Sequence, residues 1–514
     1  MINAAGREIA DFYPGYGPAV PFKGAFQYTP ELRRAAPRVR HNISGKGKKV
    51  VSSLKEVFQA IPIRDGMTLS FHHHLRNGDA VLNMVCQTAA ELGIKDLTIA
   101  SSGIFPVHVA LVDHIRNGVV SRIDSCGVMG GLARSVMDGE LPVPTIVRTH
   151  GGRARAIECG QVKIDVAFIA APAADAWGNA TGMEGKAAFG SIGYALLDAQ
   201  YADHVVIVTD ELRETHLSRF SIPQTLVDYV VPVQSIGDPS GIATGAIRWT
   251  KDPIQLQIAR DTVKVADALG LIKDGYSFQT GTGGISLAYT RFLAETMSER
   301  KIRGSFAVGG ISTPVTQMLE NGLLQTLYDV QSFDLGAVQS IARNPAHLEM
   351  SAGYYASPFN GGCIVNDLDT TIISALEIDR NFNINVLTGN DGAIMAGVGG
   401  NPDTAAGASV TIVVSNLLRG RMPSIVDNVH TICTPGETVD VLVTDYGVAV
   451  NPRRADILGE LKGSGLELCS IEELQAKAEK LVGKPKMIPT TDEVVAVVEY
   501  RDGTVIDTVR KVAR

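Results

Sequence analysis

The sequence predicts an α/β protein of two similar domains with mainly parallel sheets, together with an N-terminal arm and a C-terminal β-hairpin. Two observations carry this prediction. Short runs of β-branched and apolar residues alternate with amphipathic stretches of helix length, which is the pattern of βαβ units. A similar succession of strand, Gly-rich or turn-rich loop, helix and strand occurs in both halves of the 514-residue chain. This repetition indicates a duplicated architecture rather than a solenoid.

Turn-rich stretches set the predicted domain boundaries. Residues 1–50 contain a segment punctuated by Pro and Gly and a basic run at 38–49, and we interpret them as an arm. The basic run is equally compatible with a solvated face and with a phosphorylated partner. We predict a first domain over 51–245 and a second over 246–514, with the junction near the turn-rich residues 237–245.

The elements of the first domain follow from residue spacing. Apolar residues recur at helical spacing over 53–61, where Ser52 or Ser53 is the expected cap. Further helices are predicted over 79–92, capped near Asn77, and over 109–116 and 195–201. Continuous apolar runs predict buried strands at 66–71, 97–103, 163–171 and 204–209.

The second domain shows the same alternation. Residues 253–269 predict a helix that leads into a strand and Gly-rich loop over 276–286, and another helix begins near Ser286. The runs 384–387 and 410–414 predict strands, with a short helix near 404–407 between them. Residues 493–509 predict a structural β-hairpin that turns at Asp502-Gly503.

The Gly-rich stretch between the strands at 384–387 and 410–414 is the strongest candidate for a ligand loop. Glycine lets backbone N–H groups approach a ligand closely and supplies turns with positive φ, so such loops cradle phosphates or stabilise oxyanions. Turns and tight packing are the alternative explanation. The second Gly loop, before the helix near Ser286, could bind a phosphate or an oxyanion at the helix N-terminus, or it could be a tight βα turn.

Composition excludes several classes of function. The formal charge of −7 argues against a nucleic-acid or anionic-membrane partner on bulk electrostatics. The six cysteines form no Cys-x-x-Cys motif, which favours reduced, mostly buried thiols over a zinc knuckle or a disulfide framework. The N-terminus does not resemble a signal peptide and no run of 18 apolar residues occurs, so we expect a cytoplasmic, soluble protein.

Three consecutive histidines and an arginine follow the strand predicted at 66–71. If the extended backbone continues, His72 and His74 share one face and His73 points to the other. Two imidazoles on one face could begin a metal site, but no nearby Asp, Glu or Cys completes a ligand set, so we predict no metal. We favour contact of His72, His74 and Arg76 with an anionic substrate at the carboxyl end of the strand.

Three motifs carry a resemblance to a known family. They are Gln279-Thr-Gly-Thr-Gly-Gly-Ile-Ser286, Gly397-Val-Gly-Gly-Asn-Pro-Asp403 and Val443-Thr-Asp-Tyr-Gly-Val448. Their order resembles that of CoA-transferases of the acetate and 4-hydroxybutyrate type, and nearly the whole chain most resembles one branch, the citrate lyase alpha subunits. The middle motif is similar to a CoA-contacting loop. The resemblance therefore implies that CoA or the thioester is bound by Gly397, Gly399, Gly400, Asn401 and Asp403.

The resemblance also implies a fold and an activity. The fold would be a pair of CoA-transferase-like α/β domains with the site between them. The activity would be exchange of acetate for citrate on a thioester of CoA, or of the CoA-like arm of an acyl carrier protein (gamma) subunit, with no cofactor bound tightly by this chain. A beta (lyase) subunit would then cleave the citryl thioester. We expect a homo-oligomer in a multisubunit complex, with citrate, acetate and acetyl-CoA as small-molecule partners.

One departure from the better-known relatives concerns the mechanism. Those enzymes carry a glutamate that becomes a glutamyl-CoA thioester, whereas the matching residues 304–313 include no carboxylate, and Asn383 and Asn385 stand where an acid could lie. Direct transfer through a mixed anhydride needs no such nucleophile, because a carboxylate of citrate is already ionised at neutral pH. We predict that the backbone amides of Gly283 and Gly284, together with Asn385, serve catalysis.

Other functions remain open from the sequence. A related CoA-transferase could act on another carboxylate such as citramalate, and a non-catalytic CoA-binding scaffold would also lack the glutamate. A sugar-phosphate isomerase or deaminase of similar fold would need a carboxylate or histidine base near a phosphate loop. The Gly loops offer no obvious base of this kind.

Overall fold

Two large sheets flanked by helices form the protein, and this architecture confirms the predicted α/β fold. The computed structural model describes residues 1–26, 49–243, 250–281, 283–486 and 488–513. The predicted basic run lies outside these residues except for Lys49, and so does the end of the predicted junction. No described helix is both long and apolar enough to cross a membrane.

Among the described residues, the sheet of the first domain has nine strands and is parallel except for its last pair. In spatial order it consists of β12 (Tyr229–Pro232), β10 (His204–Thr209), β7 (Val166–Ala171), β3 (Thr68–Phe71), β4 (Leu97–Ser101), β5 (Val120–Ser125), β6 (Thr145–Arg148), β26 (Thr490–Glu499) and β27 (Val505–Val512). Its central strands are buried, as their continuous apolar runs predict.

The described part of the sheet of the second domain has eight strands and is also mainly parallel. In spatial order it consists of β16 (His347–Glu349), β15 (Leu324–Ser332), β14 (Gly304–Ile311), β13 (Phe278–Thr280), β17 (Thr370–Ser374), β20 (Val410–Val414), β24 (Val441–Thr444) and β25 (Gly447–Val450). Only β24 and β25 pair antiparallel. Every residue of β20 is buried, as its β-branched sequence predicts.

Helices cover these sheets, and short strand pairs decorate them. The helices are α1 (Leu54–Ala60), α2 (Val81–Glu91), α3 (Leu111–Arg116), α4 (Gly130–Met137), α5 (His150–Glu158), α6 (Gly193–Tyr201), α7 (Pro253–Ala268), α8 (Gly284–Arg300), α9 (Thr313–Glu320), α10 (Leu335–Arg343), α11 (Ala352–Ala356), α12 (Asn401–Gly407), α13 (Ala455–Leu461) and α14 (Ile471–Val482). Two of the small sheets are pairs: β1 (Phe12–Tyr13) with β2 (Gly17–Pro18), and β21 (Leu418–Arg419) with β22 (Met422–Pro423). A three-stranded sheet contains β8 (Ala173–Asp175), β9 (Ala180–Thr181) and β11 (Leu212–Arg213). Another three-stranded sheet contains β18 (Glu377–Asp379), β19 (Ile384–Asn385) and β23 (Ile425–Val426).

The C-terminal hairpin is formed as predicted, but it belongs to the sheet of the first domain. Strand β26 pairs in parallel with β6, from Ala496 opposite Thr145 to Glu499 opposite Arg148. The predicted second domain of 246–514 therefore includes two strands that complete the first. Pairing between residues about 350 positions apart leaves no local signal, because strand propensity does not specify the partner.

The described part of the arm packs against this hairpin. Ile9, Tyr13 and Ala19 share a small apolar cluster with Val497 and Val505 of the hairpin. The amide of Asn3 donates to the carbonyl oxygens of Val505 and Ile506 at 3.0 and 2.7 Å. The arm is therefore attached to the first domain through the last strands of the chain.

The strand predicted before the main Gly stretch is not a neighbour of β20. Only Ile384 and Asn385 are extended, and they form β19, which pairs antiparallel with β18 outside the large sheet. Strand β17, which no local pattern predicted, occupies the position beside β20. The apolar residues of the stretch, Leu387, Ile394 and Val398, join the core cluster of the first domain. The stretch therefore crosses from one domain to the other.

Candidate active site

A cavity of about 460 Å³ lies between the two domains. On the first-domain side it is bounded by the segments that follow β3, β4, β5 and β6, and on the other side by those that follow β13 and β17 and by the main Gly stretch. The carboxyl ends of parallel strands are the usual position of ligand sites in α/β proteins. Its polar lining residues are His73, Arg76, Ser102, Cys126, His150, Tyr194, Gln279, Thr280, Gln331, Tyr355, Ser374 and Asn401.

Arg76 places a positive charge in this cavity. Its guanidinium lies between two aromatic rings, with Cζ 5.4 Å from the ring centre of Phe105 and 5.2 Å from that of Phe333. Burial lowers its pKa, and its buried Nε and Nη1 have no hydrogen-bond partner among the described residues. Its backbone adopts φ 51°, an uncommon value for a residue other than glycine. An aromatic-flanked guanidinium with free donors is suited to a carboxylate.

The middle histidine of the triplet lines the cavity. His73 Nδ1 lies 2.7 Å from Ser102 Oγ, and its ring stacks on Phe105 at 5.8 Å. Burial is the main cause that holds the pKa of His73 well below its usual range, and the nearby His150 is the second cause, so the ring is neutral. Its carbonyl oxygen accepts a hydrogen bond of 2.8 Å from Gln331 of the second domain.

His72 and His74 share a face, as predicted, but that face points away from the cavity. Their rings stack at 5.9 Å. His72 Nε2 lies 2.9 Å from Asp198 Oδ2, and Arg153 binds the same carboxylate in the buried interior. His74 stacks on Phe189 at 5.1 Å. Strand parity placed these two side chains together, but the docking of the second domain decides which face meets the cavity.

The N-terminus of α8 lies in the part of the cavity wall that the second domain forms. Gly283 lines the cavity and is the N-cap residue, without a side-chain cap, and Gly284 is the first residue of this 17-residue helix. The first N–H groups of a helix have no partner within it and carry the positive end of its dipole. The structure therefore brings the two predicted glycines to a position where backbone donors can meet an anion.

The main Gly stretch serves both contact between domains and access to the cavity. A Cβ on Gly127 would lie 2.3 Å from the Cα of Gly397, and a Cβ on Gly400 would lie 2.6 Å from the hydroxyl of Tyr355. Close packing therefore explains the glycines at positions 397 and 400. Gly399 has φ 61° and no heavy atom nearer to its Cβ position than His150 Nε2 at 3.9 Å. Gly397, Gly399, Gly400 and Asn401 of the stretch all line the cavity.

Asn385 and Asp403 lie outside the cavity lining, as do His72, His74 and Gly284. Asn385 is fully buried: its Oδ1 accepts N–H bonds from Leu387 and Thr388, and its amide donates to Glu377 Oε2 at 2.9 Å. Asp403 is also fully buried and is bound by protein groups of the first domain. Sequence reasoning could not separate them from the cavity residues, because adjacent loop positions differ only in the direction of the side chain.

No carboxylate lines the cavity among the described residues. Glu320 is exposed at the end of α9, and Glu349 is largely buried and accepts the N–H of Ile192 at 2.7 Å. Glu377 is bound to Asn385. The stretch 304–313, to which the resemblance assigns the position of the glutamate, contains β14, and Gly310 lines the cavity there beside Phe333.

Several residues that line the cavity were not predicted from the sequence. His150, Tyr194 and Tyr355 form one wall, and the rings of His150 and Tyr194 lie 4.6 Å apart. Burial, with Arg153 second, lowers the pKa of His150 to about 3, so this imidazole is neutral. Burial also raises the pKa of the Cys126 thiol to about 12. A strand followed by Thr149, His150 and two glycines was an available signal for His150.

The chain is similar to known proteins over nearly its full length. Residues 47–512 match the family model "Citrate lyase, alpha subunit (CitF)". A citrate lyase alpha chain of Haemophilus influenzae is 50% identical over 469 residues, which are 91% of this chain and 94% of that one. A structure from Streptococcus mutans, described as an alpha subunit of citrate lyase in complex with citrate, is 46% identical, covers all of both chains and has a TM-score of 0.96.

The fold extends to more distant enzymes. A 4-hydroxybutyrate CoA-transferase of Porphyromonas gingivalis is 17% identical, with a TM-score of 0.54 over 84% of this chain and 96% of that one. At this identity the likeness concerns the fold alone.

Proposed function

This chain belongs to the citrate lyase alpha-subunit family, and from that premise we propose that it exchanges acetate for citrate on an acyl thioester. The observation that carries the proposal is the combination of Arg76 and a cavity without carboxylates among the described residues. A substrate with several negative charges gains from a cationic site that holds no competing acid.

Arg76 is the proposed anchor for a carboxylate of citrate. Its fork can form two parallel hydrogen bonds to one carboxylate, and the rings of Phe105 and Phe333 hold it in place. The related alpha subunit of Streptococcus mutans, described as a complex with citrate, supports citrate as the substrate. His73 replaces His72 and His74 in this proposal, because it alone of the three lines the cavity.

The N-terminus of α8 is the proposed site of oxyanion stabilisation. Backbone N–H groups beginning at Gly284 would donate to the negative oxygen that forms when a thioester carbonyl is attacked. The open backbone at Gly399 lies on the same cavity and would let the thioester approach closely. One such donor contributes about 3 kcal/mol to transition-state stabilisation.

Transfer is proposed to proceed without a covalent enzyme intermediate. A carboxylate oxygen of citrate attacks the acetyl thioester carbonyl, and the thiolate leaves, which gives a mixed anhydride. The thiolate then attacks the citryl carbonyl of the anhydride and expels acetate, so that a citryl thioester remains. No proton must be moved, and positioning of the reactants contributes on the order of 7–11 kcal/mol. Glu320, Glu349 and Glu377 all lie outside the cavity lining, which supports this route.

The thiol and the partner subunits are part of the proposal. The thioester belongs to CoA or to the CoA-like arm of a gamma (acyl carrier protein) subunit. A beta subunit cleaves the product into oxaloacetate and an acetyl thioester. The name of the family supports a multisubunit complex. A role in this complex without catalysis is the second candidate, and it is favoured by the missing glutamate alone.

One assay tests the proposal directly. The purified chain is mixed with acetyl-CoA and citrate, and the expected products are citryl-CoA and acetate in equal amounts. Citramalate in place of citrate tests whether the third carboxylate matters. A folded chain that binds both substrates and forms no product would favour the non-catalytic candidate, and faster turnover of citramalate would reassign the substrate.

A further inference from the structure

A buried carboxylate beside the cavity forms one of the contacts between the two domains. Asp403, near the start of α12 in the second domain, accepts hydrogen bonds from two groups at the start of α5 in the first. The hydroxyl of Thr149 donates to Oδ1 and the N–H of Gly151 donates to Oδ2, both at 2.9 Å. The N-termini of two helices thus meet at a single anion, which suits the positive ends of both dipoles.

This junction sets the position of His150 against the Gly stretch. His150 lies between Thr149 and Gly151, lines the cavity, and donates its own N–H to the carbonyl oxygen of Gly399 at 3.0 Å. A Cβ on Gly151 would lie 2.2 Å from the carbonyl oxygen of Ala356 and 2.5 Å from Asp403 Oδ1. Only glycine permits this approach, so the junction is built closely.

A third part of the chain completes the junction. Arg501, at the turn between β26 and β27, places Nε 3.5 Å from Asp403 Oδ1 and donates from Nη2 to the carbonyl oxygen of Ala356 at 2.9 Å. Asp403 has no exposed surface, so its charge depends on these partners. The C-terminal hairpin therefore reaches the cavity junction as well as the sheet of the first domain.

We propose that Asp403 is a positioning residue whose ionised carboxylate holds His150 and the Gly399 backbone in register across the two domains, and that Arg501 keeps it ionised. The proposal rests on the proposed transferase function and deepens it. Asp403 acts through His150 and Gly399, which line the cavity, and it lies outside the lining itself. In this proposal, the positioning role takes the place of the contact with CoA that the family resemblance implied for Asp403.

The charges around Asp403 define the pH at which the junction should change. Burial raises its pKa to about 6, and Arg501 opposes that rise. A guanidinium stays charged throughout the accessible range. The other titratable groups that face the carboxylate are neutral near pH 6. Burial lowers the pKa of His150. Burial raises the pKa of each of the remaining groups, which are Tyr194, Tyr355, Tyr500, Cys126 and Cys363.

Protonation of Asp403 does not favour unfolding in acid, so it cannot lower activity by unfolding the protein. Its folded pKa lies above the ordinary value of 3.8, so the folded state binds more protons than the unfolded state between about pH 4 and 6. The contribution of Asp403 to stability therefore falls as pH rises through that window, and acid favours the fold. A decline in turnover below pH 6 would report the altered junction.

Kinetics of three variants test the proposal. In the wild type, kcat should fall as pH drops through about 6. Asp403→Asn should lower kcat at least tenfold at pH 7.5, leave the KM for citrate within about twofold, and abolish this acid limb. Arg501→Gln should move the limb to higher pH. Asp440→Asn is the matched control, because Asp440 is buried, accepts the N–H of Thr411 at 2.7 Å and pairs with Arg454 away from the cavity.

A measurement without turnover separates this proposal from the proposed function. Amide hydrogen exchange at 150–152, corrected for the intrinsic effect of pH, should accelerate in the wild type below pH 6 and in Arg501→Gln at higher pH. An inactive wild type that shows this exchange would refute the transferase function and retain the junction. Exchange that does not depend on pH, or a kcat of Asp403→Asn equal to that of Asp440→Asn, would overturn the positioning role, and the wild-type exchange decides it if Asp403→Asn fails to fold.

Discussion

At the scale of single residues, Arg76 is the group on which binding of citrate should depend most. Hydrogen bonds to a charged group contribute about 1.5–3 kcal/mol, so Arg76→Gln should raise the KM for citrate roughly tenfold to a hundredfold. Arg76→Lys keeps the charge but loses the fork, so its KM for citrate should lie between those of the wild type and Arg76→Gln. The KM for acetyl-CoA should change little. Steady-state kinetics of the wild type and both variants, with each substrate varied in turn, measure all of these KM values.

Arg116→Gln is a suitable control for Arg76. Arg116 lies in the same domain, is exposed, and pairs with Glu140 at 2.8 Å, away from the cavity. Its replacement should leave both KM values unchanged, because an exposed pair contributes little. If Arg76→Gln binds citrate as the wild type does, the carboxylate is held elsewhere.

A substitution at Gly399 tests the approach of the ligand without disturbing packing, whereas substitutions at Gly397 and Gly400 would also disturb packing. Gly399→Ala adds a methyl group with free space around it, in a backbone conformation that alanine rarely adopts. Transfer should slow, or the KM for acetyl-CoA rise, about tenfold, which corresponds to about 1.4 kcal/mol. Gly420→Ala has the same strain at φ 62°, with nothing within 4 Å, and should leave both values unchanged. Equal kinetics in the two folded variants would assign Gly399 to turn geometry alone.

At the scale of elements, the C-terminal hairpin is fixed by a buried charge network. Glu499 of β26 receives hydrogen bonds from Arg148, from Arg155 at 2.6 Å and from the hydroxyl of Tyr16 at 2.8 Å. Glu499→Gln leaves two buried guanidinium groups without their shared carboxylate, so the free energy of unfolding should fall by about 3–5 kcal/mol. Urea denaturation at pH 7 measures it. Glu493→Gln, in an exposed pair with Lys511, should change it by less than about 0.5 kcal/mol.

The same network gives stability a dependence on pH. Burial alone would raise the pKa of Glu499, but Arg148 and Arg155 lower it below the ordinary value of 4.5. A lowered folded pKa means that the stabilisation is complete above about pH 4.5 and is lost as pH falls through the folded pKa. The difference in unfolding free energy between the wild type and Glu499→Gln should therefore shrink in acid. A constant difference from pH 7 to pH 3 would contradict this assignment.

At the scale of the whole molecule, the absence of a cavity carboxylate among the described residues predicts the kinetic mechanism. Direct transfer requires both substrates on the enzyme together, so initial-rate plots should intersect. Glu320→Gln, Glu349→Gln and Glu377→Gln should each keep more than about a tenth of the rate, whereas loss of a covalent nucleophile costs several powers of ten.

Trapping distinguishes the two mechanisms independently of rates. The enzyme is incubated with acetyl-CoA alone, treated with borohydride, and its peptides are weighed. No CoA adduct and no reduced side chain should appear. Parallel initial-rate plots together with an adduct on any Asp or Glu would establish a glutamyl-type intermediate.

The sequence predicted those parts of the fold that local pattern determines. Strands β7, β10 and β20 are continuous apolar runs, and their positions agree with the prediction within a few residues. Strand β14 contains three glycines and β17 contains two threonines and a serine, so neither has a strong apolar pattern. The pairing of β26 with β6 depends on contacts distant in sequence, which no local pattern encodes.

The candidate site was predictable in its backbone and less so in its side chains. The two Gly loops and Arg76 were identified because glycine density and an unusual cluster of histidines are local signals. The choice between His73 and its neighbours was not, since the second domain determines which face lines the cavity. Ser102, Tyr194 and Tyr355 come from separate elements and are ordinary residues until folding brings them together.

The position of the C-terminal hairpin has a consequence for synthesis of the chain on the ribosome. Strands β3 to β12 are complete when less than half of the protein has been made, yet the outer edge of β6 stays uncovered until the last residues emerge. An open parallel edge can pair with other chains, so a nascent first domain is exposed to aggregation for most of translation. Chains that terminate early, before residue 490, should be found with chaperones or in inclusion bodies, however well the second domain has folded.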